Sequence, residues 1–101
     1  SEIAYVIVAE NDRRDKEVWL VNGQTMLVKN ISFDDLLQRL PYGYFCKINR
    51  STVVAMRAVS RYTAQIVLCA VSSRSKPIQF KLSGQYRDEF MSLLTVNSYA
   101  D

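Results

Sequence analysis

The chain has 101 residues, a length that fits one domain and buries a core without disulfide or metal staples. Its composition, 49% hydrophobic and 23% charged, is that of a globular protein, and no apolar run approaches the ~20 residues that span a bilayer. The net charge of +3 is modest, but its distribution is not: the acidic residues lie in Glu2–Asp35 and Asp88–Asp101, and Leu36 to Arg87 contains none. That middle stretch carries Arg39, Lys47, Arg50, Arg57, Arg61, Arg74, Lys76, Lys81 and Arg87, an unneutralised block that attracts polyanions.

Ile3 to Ala9 is apolar and β-branched, which predicts a buried strand, and Glu10 to Lys16 is a polar loop. Glu17 to Val21 and Thr25 to Val28 read as two strands joined at Asn22-Gly23, a dipeptide that predicts a type I′ hairpin turn. Ser32 to Leu40 is predicted as a short helix. Ser32 is the cap, Asp35 sits three residues on, and Ile31 and Leu36 form a hydrophobic staple. Phe33, Leu36, Leu37 and Leu40 give it one apolar face, and Pro41 ends it. Tyr44 to Ile48 is a strand that Asn49-Arg50-Ser51 interrupts before Val53-Val54 resumes. Ala58 to Tyr62 and Gln65 to Val71 form a second hairpin around Thr63-Ala64. Ser72 to Ser75 is a polar turn, and Pro77 to Leu82 alternates as a half-buried strand. Ser83 caps a final helix, Gly84 to Leu94, with Tyr86, Phe90, Leu93 and Leu94 on its apolar stripe. Thr95 to Asp101 is expected to fray. The pattern is that of one mostly β domain, residues 1–101, with many short strands and two short helices.

The chain has no histidine, the commonest general base and metal ligand. Asp34/Asp35 and Asp88/Glu89 are expected in helix first turns, where they complement the helix dipole rather than form a catalytic pair. Cys46 and Cys69 each sit in an apolar run, outside any CxxC pair, and read as buried reduced thiols; a Cys46–Cys69 disulfide stays open at this stage. With three glycines in all there is no Gly-rich phosphate loop. These features point away from an enzyme and call for no cofactor or metal.

What remains are basic and polar residues clustered at strand breaks. The first group is Arg13, Arg14 and Lys16; the second is Lys47, Asn49, Arg50 and Ser51; the third is Lys81, Ser83, Gln85 and Arg87. These are the side-chain types that reach phosphates and base edges of duplex DNA, and a helix beginning near Ser83 adds a positive dipole end.

Phe45-Cys46-Lys47-Ile48-Asn49-Arg50-Ser51-Thr52-Val53-Val54 resembles the central signature of the LytTR DNA-binding domain, roughly F-x-R-[IVC]-H-[RN]-S-[YF]-[IV]-V-N. Ile3-Ala4-Tyr5-Val6 is similar to that family's first "I-x-Y-I" strand. Ser32 to Leu40 with Pro41 is similar to its "S-L-x-x-L-x-x-x-L" helix, and Ile78 to Tyr86 to its closing "I-P-V-S-R-x-Y". The resemblance spans residues 3–94. It implies an elongated arrangement of short antiparallel sheets whose loops, at Arg13–Lys16, Asn49–Ser51 and Ser83–Arg87, enter the grooves of bent duplex DNA. It also implies the cytoplasmic output domain of a bacterial two-component response regulator controlling transcription. Such a domain would have an upstream receiver or sensor domain, a possible dimer on DNA and no membrane contact of its own. The missing initiator Met, and the absence of the family's strand before Ile3, fit a piece of a longer regulator.

The sequence departs from the family pattern at several points. Asn49 stands for the usual His, Thr52 for an aromatic, Ala55 for Asn, and Gly84-Gln85 fall where Arg is common. Asp15 falls near a base-contacting position. By this reading Arg13, Arg14, Lys16, Lys47, Arg50 and Arg87 take phosphates, while Asn49, Arg50 and Gln85 are the candidates for base edges. Two other readings stay open. One is a small RNA- or single-strand-binding β domain stacking bases on Tyr42, Tyr44 or Tyr62. The other is a protein-interaction or sensory module that has lost DNA binding.

Overall fold

The computed structural model describes residues 2–98. The apolar, β-branched run Ile3–Val8 forms strand β1 at the centre of a five-stranded antiparallel sheet. Buried on both sides along Ala4, Tyr5 and Val6, it reads as a continuous hydrophobic strand rather than an alternating one. On one side it pairs with β2 (Lys16–Leu20), Val6 opposite Val18; beyond β2 lies β3 (Thr25–Val28). On the other side it pairs with β5 (Thr52–Ala55), Val6 opposite Val53, and beyond β5 lies β4 (Phe45–Asn49). The order is therefore β3-β2-β1-β5-β4, with helix α1 (Phe33–Gln38) in the connection from β3 to β4. A 3-10 turn, Met56–Ala58, leads from β5 into a second, three-stranded antiparallel sheet of β6 (Val59–Tyr62), β7 (Ile66–Cys69) and β8 (Ile78–Lys81). Helix α2 (Gly84–Ser98) then packs on β4 and the 3-10 turn. The envelope measures 35 × 30 × 24 Å.

One core joins these layers. Val6, Ile48, Val53 and Val54 of the large sheet, Val67 and Cys69 of the small one, and Leu82 and Phe90 at and within α2 are all fully buried. Fully burying a side chain of this size contributes about 1.5–3 kcal/mol relative to leaving it exposed. Phe90 thus anchors α2, and its ring meets Tyr62 edge-on at 5.8 Å between centroids. Cys46 and Cys69 are buried free thiols.

The turns are built by side chains. Asp12, Asn22 and Asn49 each accept, through Oδ1, the backbone N–H two residues on, and Thr63 Oγ1 does the same for Gln65. Such Asx and Thr turns let a hairpin close with ordinary negative φ angles. The hairpin at Asn22-Gly23 is present, but it is not type I′, since only Gly23 has a positive φ (90°). Gly23 N–H donates to Leu20 O at 2.9 Å and Leu20 N–H to Gln24 O at 2.8 Å. This is a tight turn over Val21-Asn22 followed by a glycine bulge, the usual three-residue solution.

Expectations for both helices also change. Helix α1 ends at Gln38, because Arg39 and Leu40 donate to Leu36 O and Leu37 O and tighten the last turn before Pro41. Its start is as expected, with Ser32 Oγ accepting Asp35 N–H at 3.1 Å. Helix α2 continues past Leu94 to Ser98; residues 99–101 of the expected frayed tail lie outside the described residues. Asn97 Nδ2 donates to Gly43 O at 3.1 Å and to Leu93 O at 2.7 Å, which ties this last turn to the loop before β4. Asp88 and Glu89 lie beyond the first turn of α2, whereas Asp34 and Asp35 do occupy the first turn of α1.

Candidate nucleic-acid interface

The β4–β5 turn is the centre of the basic surface. The ladder pairs Lys47 with Val53 and Asn49 with Thr52, so Ile48 is an extra, bulged residue in β4. A bulge twists its strand and re-aims the residues that follow. Ile48 itself is fully buried, and Arg50 is carried out to solvent at the tip of the turn. Ile48 O accepts the N–H of Ser83 at 2.9 Å, and Asn49 Nδ2 donates to Lys81 O at 2.8 Å. The end of β8 and the start of α2 are thereby pinned against the turn.

This pinning brings the second and third sequence clusters together. Asn49, Arg50, Ser51, Lys81, Ser83, Gln85 and Tyr86 line one open hollow of about 460 Å³. A second hollow is lined by Val8, Arg13, Lys16, Ser32, Phe33, Asp34, Lys47 and Arg50. Arg50 borders both. Residues from three distant stretches of chain therefore share one surface.

The candidates differ in how they are held. Arg13, Arg50, Lys81 and Gln85 are exposed, and among the described residues no hydrogen bond or ion pair occupies the three cationic heads. Lys47 is half-buried, its ammonium 5.5 Å from the Phe33 ring centre and 5.6 Å from that of Tyr86. Arg14 is exposed but committed, making Nε and Nη2 bonds to Asp12 at 3.1 and 2.8 Å. That pairing holds the Asp12 carboxyl down to about 2. Arg87 Nε donates to Ala64 O at 2.7 Å, tying α2 to the β6–β7 turn, and the side chain does not line either hollow.

Lys16 departs most from its expected place. It is a strand residue only 4% exposed, and its ammonium donates to Arg13 O at 2.9 Å beneath the loop, 5.1 Å from the Phe33 ring. Burial lowers its pKa. Its charge supports the loop from within. Asp15, also buried, does similar work from the other side, accepting Asn30 N–H at 2.9 Å and facing Lys29 at 3.4 Å. Asn49 has both ends of its carboxamide engaged, Oδ1 by Ser51 N–H and Nδ2 by Lys81 O. Ser83 acts through its backbone, which accepts Tyr86 N–H at 2.9 Å.

Five lining residues, Val8, Ser32, Phe33, Asp34 and Tyr86, lie outside the sequence clusters. Phe33 and Tyr86 form aromatic walls beside Lys47, yet in sequence both fall on helical apolar stripes and read as core. The exposed tyrosines that a base-stacking surface would need are elsewhere. Tyr42 and Tyr44 border separate apolar depressions around Pro41 and Phe45. Among the described residues no three His, Cys, Asp or Glu side chains gather as a metal ligand set.

This fold and this surface are those of a loop-presenting β domain. The LytTR DNA-binding domain of a putative methyl-accepting/DNA response regulator from Bacillus cereus is similar over 92% of this chain and 81% of its own, with a TM-score of 0.69 and 19% sequence identity. The chain thus has the LytTR-domain fold, as its central signature implied. No family model and no curated protein sequence matches it.

Proposed function

We propose that this chain binds duplex DNA as the output domain of a response regulator, in the cytoplasm, and that it grips the duplex through loops. The observation that carries this reading is the position of Arg50. It is uncommitted within the protein and borders two hollows that between them collect Arg13, Lys47, Lys81 and the first turn of α2. Arg13, Lys47, Arg50 and Lys81 are the phosphate contacts, aided by the positive end of the 15-residue helix α2. Gln85 and Arg50 are the candidates for base edges. Arg14 and Arg87 are secondary, because their guanidinium groups already serve carboxylate or carbonyl partners. The resemblance of fold to a DNA-binding domain supports the same reading.

A duplex titration of isotope-labelled protein tests it. Backbone amide shifts are expected to concentrate at residues 13, 47–51 and 81–86. Shifts confined to Pro41, Tyr42 and Tyr44, or none at all, would overturn the assignment of this face.

A further inference from the structure

We propose that Asn49 is a positioning residue of this surface: its carboxamide clamps the β4–β5 turn to the end of β8, and so fixes where Arg50 and Lys81 stand relative to each other. The inference deepens the DNA-binding reading and rests on it. It assigns Asn49 a different task from base recognition.

Three observations carry it. First, the carboxamide is engaged at both ends within the protein. Oδ1 accepts Ser51 N–H at 2.8 Å, closing the turn that presents Arg50, and Nδ2 donates to Lys81 O at 2.8 Å, thirty-two residues away. A bidentate reader of adenine needs an oxygen and an N–H aimed together at a base. Here the oxygen points back into its own turn and one N–H points along β8. Second, the link has a parallel partner, since the bulged Ile48 offers its carbonyl to Ser83 N–H at 2.9 Å. Two adjacent residues of β4 thus hold two positions, 81 and 83, at the β8–α2 junction. Third, four of the residues joined by these bonds, Asn49, Ser51, Lys81 and Ser83, line a single hollow together with Arg50.

The side-chain chemistry required is narrow. The group must accept from one backbone N–H and donate to a backbone carbonyl from one short stem. Asn does both; Asp keeps only the acceptor role, and Ala keeps neither. Fixing in advance the backbone that carries the cations Arg50 and Lys81 reduces the ordering cost of binding, so loss of the clamp is expected to weaken affinity without removing any contact to DNA.

The test is a double-mutant cycle on the full chain with a mixed-sequence duplex of about 30 base pairs as probe, in low salt. Asn49→Ala is expected to weaken binding about tenfold, the order of the loop and side-chain ordering that the clamp no longer supplies in advance. Asn49→Asp is expected to fall between the parent and the Ala variant. In an Arg50→Ala background the further effect of Asn49→Ala is expected to shrink to about twofold or less, because the clamp then has one fewer cation to place. An undiminished tenfold effect in that background, or parental affinity for Asn49→Ala alone, would overturn the proposal. Hydrogen exchange without DNA gives an independent readout: the Ser51 amide is expected to exchange at least about tenfold faster in Asn49→Ala. Unchanged exchange would sink the clamp itself. Loss of the clamp's protection in a protein whose parent binds no duplex would instead mean that the DNA reading has failed and the clamp serves stability alone, which also overturns its positioning role.

Discussion

At the scale of single residues, formal charge is a poor guide to which cations face outward. Lys16 and Arg50 are both strand-end cations in the sequence, and they are opposite cases in the fold. The Lys16 ammonium is enclosed, bonded to Arg13 O and set over Phe33. Arg50 is exposed and makes no bond of its own among the described residues. Substituting each therefore separates stability from binding. Lys16→Met should lower the melting temperature by the equivalent of about 1 kcal/mol or more, because it orphans a loop carbonyl, and should leave the salt dependence of DNA binding unchanged. Arg50→Ala should leave the melting temperature within about 0.5 kcal/mol of the parent and weaken binding. If Arg50 takes only a phosphate, all duplexes weaken alike; if it reads a base, discrimination falls by about 1–3 kcal/mol at one position. Thermal melts beside duplex titrations check both arms, and a destabilised Arg50→Ala protein would contradict the unpaired placement.

The elements themselves were legible where the local pattern decides. The apolar run expected over Ile3 to Ala9 forms β1 (Ile3–Val8), the alternation expected over Pro77 to Leu82 forms β8 (Ile78–Lys81), and the cap at Ser32 starts α1. What local pattern missed was set by partners far along the chain. Helix α2 keeps its last turn because Asn97 reaches Gly43, and nothing near residue 97 in sequence announces that bond. Asn22-Gly23 predicts a type I′ turn, yet Asn22 caps the turn through its own side chain and only Gly23 adopts a left-handed angle. Gly23 also lies so close to Ser73 that a Cβ there would collide with the Ser73 side chain. Gly23→Ala should therefore cost more than the ~1 kcal/mol of the backbone angle alone, with Asn22→Gly costing less. Denaturant melts of the two variants would show it, and a Gly23→Ala cost no larger than that of Asn22→Gly would contradict the collision with Ser73.

For the molecule as a whole, the three sequence clusters carried the candidate residues but not their arrangement. The strand order β3-β2-β1-β5-β4 and the bond from Ser83 N–H to Ile48 O bring loops 13, 50 and 81–85 to one face, and neither can be read from periodicity. The core behind that face carries two thiols, one in each sheet, and burial pushes both Cys46 and Cys69 up to about 12 from an ordinary value of 9.0. Burial likewise raises Tyr5 from 10.0 to about 12. All three groups are neutral in the fold and ionise more readily once unfolded. Their contribution is complete below pH 9 and is lost as pH rises from there towards 12, so stability should decline over that alkaline range. Native protein should also react slowly with a thiol reagent at pH 8, and rapid labelling of either cysteine would contradict the buried placement.

The central claim is that Arg13, Lys47, Arg50 and Lys81 form one surface that meets the phosphates of a duplex. The most direct measurement is the affinity for a mixed-sequence duplex across a series of salt concentrations. Four phosphate contacts predict that log K falls against log salt with a slope of about −4, and that Arg13→Ala and Lys81→Ala each make it shallower by about one. A slope near zero, or one that neither substitution alters, would contradict the account.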